Sequence, residues 1–409
     1  MKHIYASLDI GSDSIKIAVC ELYQNKLNLL AATSVKSEGI KRGLIADFDL
    51  ACNSIKEAFN SISEMVGFKV DKVIASVPSY MAEYNIVKGS IDIDVNNVIN
   101  PDDVMKSLEK AITSKKIDGR EMVTVLPIDF KINDEIVLKN PVGRKGKKLS
   151  TRAVLVTVPK KNVYSVLTLL EKINIEVVDI SINNIGDMYA FRNKNFDNLI
   201  SAIINIGSDI TSLSLYSKNV IVKSSMINVG AKLVDQEIAN YYKVDISVAK
   251  KLKNKFAIAS KKNTSSSDFI ECKNVNGEKT KINQSEISEI VEYRVKDILN
   301  SAKNELNNLT SKKIDYIIIT GGMSNITAFE LAASDIFDKN INIGSIKMIG
   351  IRDNKYSSVV GNIVYFINKL KLKGQDYTMV DDGESSVDSY TRSTPDSALN
   401  KIFGYFFND

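Results

Sequence analysis

A strand–turn–strand unit that occurs twice restricts this chain more than any other feature. Leu8-Asp9-Ile10-Gly11-Ser12 lies near the start of the first half, and Ile204-Asn205-Ile206-Gly207-Ser208 opens the second. Runs rich in isoleucine, valine and leucine predict strands over 4–10, 15–23 and 27–35, the first two joined by Gly11-Ser12-Asp13. The same pattern predicts strands over 200–206 and 210–217 around Gly207-Ser208-Asp209. Glycine lets each turn close tightly, and the amides and hydroxyls that follow can point at phosphate oxygens. Two such hairpins facing each other would clamp a polyphosphate between two similar domains. A third loop, Thr320-Gly321-Gly322-Met323-Ser324, follows the apolar strand Tyr316–Thr320 and suits close backbone approach to a nucleoside.

Between these landmarks the periodicity changes. A helix is predicted over about 49–65, with Ala51, Ile55, Ala58, Phe59 and Ile62 on one face, and a strand over 70–77. From about 84 to 158, Ile91, Ile93 and Val95 alternate with acids, and a helix starts at Pro101-Asp102-Asp103. Strand-like runs at 121–132 and 150–158 flank a Gly/Lys-rich loop, so this stretch reads as a small inserted α+β domain. Residues 231–310 read as mostly helical, broken by a Lys/Asn/Ser-rich loop at 259–268, and a helix follows at 357–372. The loops at 143–148 and 259–268 read as solvated surface or as contacts for a partner, and the sequence does not choose between these.

At 409 residues the chain is long enough for two or more domains. Apolar residues make up 44% and charged residues 25%, the balance of a soluble globular protein. A net charge of +5 over this length does not point to nucleic acid. The single histidine, His3, argues against histidine metal sites and Ser-His-Asp hydrolysis. Cys20, Cys52 and Cys272 show no metal spacing. With no signal peptide ahead of Ile4, free thiols in a reducing cytoplasm are expected. No apolar run approaches the ~20 residues that span a bilayer.

With its three loops in that order, the chain resembles the actin-like ATPase superfamily, whose first phosphate, second phosphate and adenosine motifs they match. Within it the chain looks most like the FtsA family. Gly39-Ile40-Lys41-Arg42-Gly43-Leu44-Ile45 sits where that family has a glycine-bounded segment, and the insertion near 84 falls at its position. Asn140-Pro141-Val142-Gly143, Leu149, Val229-Gly230-Ala231-Lys232 and Glu289-Ile290-Val291-Glu292-Tyr293-Arg294 are also similar. The resemblance implies an α/β, actin-like two-lobed fold of duplicated five-stranded ribonuclease-H-like cores with the inserted domain in the first lobe. The expected parts are a first lobe at 1–83 plus 159–198, the insertion at 84–158, and a second lobe at 199–372.

The resemblance further implies ATP and Mg²⁺ as cofactors. Contacts are expected from Asp9, Gly11, Ser12, Asp13, Ser14, Asn205, Gly207, Ser208, Asp209, Gly230, Lys253, Gly321, Gly322, Met323 and Ser324, with Asp9 orienting Mg²⁺ through water. Two departures stand out. Asn205 replaces the aspartate that opens the second phosphate motif, which implies slow hydrolysis or none, with Asp209 as a partial substitute. Ala249-Lys250-Lys251-Leu252-Lys253 stands where relatives carry Ala-Glu-x-x-Lys, so Lys253 matches while Lys250 replaces the acid. Binding rather than turnover is expected, and no catalytic residue is assigned.

Residues 373–396 are acidic and serine-rich, the composition of a flexible linker. In 397–409, Leu399, Ile402, Phe403, Phe406 and Phe407 fall within one arc of about 140° on a helical wheel, an amphipathic helix suited to a membrane interface. FtsA proteins end in a comparable helix. The resemblance therefore implies a self-associating adaptor on the cytoplasmic face of the membrane at the division site. Its expected partners are the FtsZ C-terminal tail, its own copies, membrane lipids and other division proteins. Arg294 is expected in self-association or nucleotide-side packing, or in a surface ion pair with an acid such as Glu292. A pilus-assembly ATPase, which typically lacks the terminal helix, and a sugar kinase, which needs a catalytic aspartate, are the alternatives.

Overall fold

The repeated unit builds the same sheet twice. The structure, a computed structural model, describes residues 2–93, 98–115, 117–133, 135–137, 140–193, 199–337 and 340–380. It opens with β1 (His3–Ile10), β2 (Ser14–Tyr23) and β3 (Lys26–Lys36), then a ribbon of β4 (Ile40–Lys41) and β5 (Leu44–Ile45), helix α1 (Phe48–Val66) and β6 (Lys72–Val77). The insertion comprises β7 (Glu83–Asp92), α2 (Pro101–Thr113), β8 (Arg120–Ile132), β9 (Glu135–Val137) and β10 (Lys148–Pro159). Helix α3 (Lys160–Lys172), β11 (Glu176–Ile182) and α4 (Asn183–Phe191) complete the first half. The second half runs β12 (Ile200–Ile206), β13 (Thr211–Ser217), β14 (Val220–Ile227), α5 (Ala231–Tyr242), α6 (Ile246–Lys255), β15 (Phe269–Lys273) and β16 (Lys279–Asn283). It ends with α7 (Gln284–Leu309), β17 (Tyr316–Thr320), α8 (Phe329–Phe337), β18 (Ile341–Ile343) and α9 (Ser357–Lys373).

The two large sheets have orders β11-β6-β1-β2-β3 and β18-β17-β12-β13-β14. In each, the first hairpin is antiparallel and the strands beyond its first member are parallel, so the topologies are the same. β1 is buried from Tyr5 to Ile10 and β2 from Ile15 to Cys20, as expected for central strands covered on both faces. The insertion forms its own four-stranded sheet, β7-β10-β8-β9, with a separate core around Val104, Leu108, Leu149 and Leu155.

Local signals account for the helix boundaries. Asp47 caps α1 by accepting from Leu50 N, and the predicted apolar face of Ala51, Ile55, Ala58, Phe59 and Ile62 is buried. Asn100 and Asp103 form a reciprocal capping box on α2. Replacing Asn100 by alanine is expected to cost about 1 kcal/mol, read as a lower denaturant midpoint. An unchanged midpoint would show that packing alone holds the helix start.

Two expectations need correction. The region 231–310 is not simply helix and loop, because Phe269–Lys273 and Lys279–Asn283 pair as a hairpin. Its turn contains Asn276-Gly277, with Gly277 at φ 82°, and Ile282 and the half-buried Cys272 point inward. The stretch read as the start of a linker is packed as far as residue 380. Met379 is buried, its amide donates to Ile4 O at 2.9 Å, and Thr378 Oγ1 accepts from Ile4 N at 3.0 Å. β6 pairs with β1 only at Ser7 and Leu8, so this strap completes the edge that β6 leaves open. The rest of the expected linker and the helix carrying Leu399, Ile402, Phe403, Phe406 and Phe407 lie outside the described residues.

Two helices carry the chain between the sheets. α4 leads from β11 to β12, and α9 returns from the second sheet to pack on β1, β2 and β6. They cross at Gly186 and Gly361. A Cβ on Gly361 would stand 1.7 Å from the Gly186 carbonyl oxygen, so only glycine permits this contact.

Candidate functional site

The two glycine turns face each other across a cleft of about 480 Å³ between the sheets. That volume suits a small-molecule ligand. The turns are alike in detail, since Gly11 N donates to Ser14 O at 3.2 Å and Gly207 N to Ile210 O at 3.0 Å. The third loop enters from β17, with Gly321 at φ 92° and packed so closely that a Cβ would lie 2.4 Å from Ile206 O.

Hairpin register decides the cleft floor. Asp9 and Lys16 sit opposite each other in the first hairpin, and Asn205 and Ser212 occupy the corresponding pair in the second. Asp9 is buried; its Oδ2 accepts from Lys16 Nζ at 2.9 Å and its Oδ1 from Asn183 Nδ2 at 2.8 Å. Among the described residues Asn183 Oδ1 is buried without a hydrogen-bond partner, an orphaned acceptor at the cleft wall. Behind the second turn, Asp187 accepts from Asn205 Nδ2 and from Ser357 Oγ, each at 2.6 Å. Burial, partly offset by those two hydrogen bonds, pushes the Asp187 carboxyl up to about 6.

One wall of the cleft comes from α5 and α6. Lys253 and Asp235 are buried and paired at 2.7 Å. Burial pushes Asp235 up and Lys253 down, against the pull of the pair. The mouth is bridged between the lobes. Lys250 reaches Asp13 at 2.5 Å and Arg42 N donates to Asp209 Oδ2 at 3.2 Å, while within the first lobe Gly43 N donates to Ser12 Oγ at 2.8 Å. Lys250 and Asp13 are each more than 40% exposed, so their bridge is worth no more than about 1 kcal/mol and yields readily.

Of the residues expected to contact nucleotide, Asp9, Gly11, Ser12, Asp13, Ser14, Asn205, Gly207, Ser208, Asp209, Lys253, Gly321, Gly322 and Met323 line this cleft. Gly230 and Ser324 do not. A Cβ on Gly230 would lie 2.4 Å from Ser208 O, so it packs behind the second turn. The Ser324 hydroxyl donates to Gly321 O at 2.8 Å and accepts from Asn354 Nδ2 at 3.0 Å, so it braces the third loop. Arg294 also lies away from the cleft. Its partners are Glu237 of α5 and Asp297, not Glu292, which pairs with Lys296. Lys16, Asn183, Asp187 and Asp235 were missing from the sequence reading.

The residues fit a polyphosphate. A Cβ on Gly11 would stand 2.9 Å from Ser14 O and one on Gly207 2.9 Å from Ile210 O, so glycine keeps both turns tight, and Lys16, Lys250 and Lys253 supply positive charge. Among the described residues no cluster of acidic, histidine or cysteine side chains is spaced to hold a metal directly. Among the described residues no helix is long and apolar enough to cross a membrane.

Comparison with known proteins agrees with this architecture. The family model described as "Cell division protein FtsA" matches residues 202–361, and "SHS2 domain inserted in FTSA" matches 83–157. The Cell division protein FtsA of Bacillus subtilis is 26% identical over 375 residues, covering 91% of this chain and 85% of the relative. That of Enterococcus hirae is 23% identical over 411 residues, covering 97% and 93%. Among solved structures, MreB5 of Spiroplasma citri bound to AMPPNP superposes with a TM-score of 0.57 at 17% identity, over 91% of this chain and 99% of that one. The PilM-PilN type IV pilus biogenesis complex gives 0.57 at 12% identity, over 88% and 98%. Those structures establish the actin-like ATPase fold. The two family models, between them covering more than half of the residues, and the relatives that match most of its length show that the chain belongs to the FtsA family of cell division proteins.

Proposed function

We propose that this chain binds ATP with Mg²⁺ in the cleft, associates with its own copies, and tethers FtsZ filaments to the inner face of the cytoplasmic membrane during division. The paired glycine turns, facing each other with lysines on both walls, carry the nucleotide reading. MreB5 of Spiroplasma citri, which shares the fold, is described bound to ADP and to AMPPNP. In this reading the two turns hold the phosphates, Lys16 neutralises them while Asp9 orients metal-bound water, and Gly321 and Gly322 admit the nucleoside. Bound Mg²⁺ would supply charge neutralisation to the phosphates. Turnover is slow, because the cleft-facing side chain at 205 is a neutral amide and the nearby Asp187 is buried behind it.

The family membership supports the FtsZ tail as a partner, and Arg294 of α7 is assigned to self-association. The apolar residues of 397–409 supply the membrane contact. A single short helix binds reversibly, and many copies in a filament bind far more firmly through effective concentration.

Liposome co-sedimentation tests this reading, using the full chain and a version ending at Ser393, with and without ATP and a tagged FtsZ tail. The full chain is expected to pellet and carry the tail peptide with it, and the truncated chain to remain in the supernatant. Equal pelleting of both, with the peptide left behind, would remove the adaptor role and leave an actin-like member of a division family.

A further inference from the structure

Asp187 is buried, and both of its carboxylate oxygens are engaged by other elements. Oδ2 accepts from Asn205 near the end of β12, and Oδ1 accepts from Ser357 at the first position of α9. Its own helix, α4, is the first crossing between the sheets, and α9 is the second. One carboxylate thus joins the cleft floor to the point where both connecting helices meet.

A carboxylate can only accept, so it dictates how the Asn205 amide lies. The NH₂ group faces Asp187, and Oδ1 is left on the side of the third loop, where a Cβ on Gly321 would come within 2.6 Å of it. Released from Asp187, the amide could turn and offer N–H donors to the cleft instead. The two orientations suit different ligands. An oxygen accepts from metal-bound water, whereas an NH₂ donates directly to a bare phosphate oxygen.

We propose that Asp187 is a positioning residue: through Asn205 it sets the preference of the cleft for a metal-bound over a metal-free polyphosphate, and through Ser357 it ties that floor to the helix crossing. This rests on the nucleotide reading of the cleft. The preference is carried by hydrogen-bond direction and not by the charge of Asp187. Asparagine at 187 keeps the direction, since its Oδ1 still accepts from Asn205 while its NH₂ donates to Ser357.

The test titrates a fluorescent ATP analogue into the full chain with Mg²⁺ and with EDTA, alongside melting curves. The wild type is expected to bind more tightly with Mg²⁺. Asp187→Ala is expected to lower the ratio of the two affinities about fivefold to tenfold, the effect of one ordinary net hydrogen bond. Asp187→Asn is expected to hold it within about twofold. An unchanged ratio in D187A, or D187N moving as far as D187A, overturns the proposal. If D187A does not fold, the swap D187N/N205D reverses the hydrogen bond and brings the carboxylate to the cleft. That swap is expected to raise the ratio several-fold, and an unchanged ratio overturns the proposal. Absence of wild-type binding in either buffer would instead overturn the nucleotide reading on which the proposal rests.

Discussion

Gly361→Ala is expected to lower stability by about 3 kcal/mol or more, at or beyond the upper end of what overpacking costs. The added methyl would meet the Gly186 carbonyl oxygen at 1.7 Å and Ala190 N at 2.9 Å. Both are backbone atoms of α4, so no side chain can swing aside. The helices would have to separate, and the Ser357–Asp187 hydrogen bond lies at the same crossing. Gly322→Ala is the control, since its methyl would find nothing nearer than Lys355 Cβ at 3.8 Å. Thermal unfolding followed by circular dichroism separates the two. A G361A midpoint within a degree or two of the control would mean that the crossing is looser than its geometry implies.

Lys369→Met is expected to have the next largest effect. Lys369 on α9 holds Asp179 of β11 through both carboxylate oxygens, at 2.7 and 2.6 Å, with both side chains largely buried. Burial pushes the Asp179 carboxyl up and the Lys369 ammonium down, despite the pairing. Removing the lysine strands a buried carboxylate, which costs about 3–5 kcal/mol, with the lower figure more apt because Lys373 is also near. The pH dependence has a definite sign. The folded pKa of Asp179 lies above its unfolded value, so the acid costs least below the unfolded value and most above the folded one. The loss in K369M should therefore be largest at neutral pH and shrink towards pH 4. Adding Asp179→Leu should recover most of the stability at pH 7. A K369M loss that is the same at pH 4 and pH 7 would show that packing of the lysine stem, not the stranded charge, is responsible.

The repeat was legible because it is written in local terms. A glycine turn between two apolar runs specifies a hairpin wherever it occurs, and two copies at the heads of two halves specify a duplicated fold. The turn residues that line the cleft were legible for the same reason, being next to those glycines. What was missed depends on register and crossing. Lys16 looks like one polar residue in an apolar strand until the hairpin sets it opposite Asp9. Asp187 lies in Asn183–Phe191, a short helix whose sequence does not announce that its third dimension is the back of the second turn. Gly230 and Ser324 misled in the opposite direction. Ser324 ends the third loop and Gly230 belongs to the separate run Val229–Lys232, and each packs against loop backbone instead of lining the cleft. The β15–β16 hairpin was hidden because its strands are mostly exposed and lack an apolar run, although Asn276-Gly277 marks its turn.

The strap at residues 378–379 gives strand β1 two ends with different duties. At one end Ile4 and Ala6 hold Met379 and Thr378, and at the other Asp9 stands in the cleft. The separation from Ile4 to Asp9 is five residues of extended chain, roughly 17 Å. Traction on the polypeptide beyond residue 380 therefore arrives first at the strap and passes along β1, before it can unwind α9. Tension at the chain terminus and the occupant of the cleft would thus be felt by one buried rod.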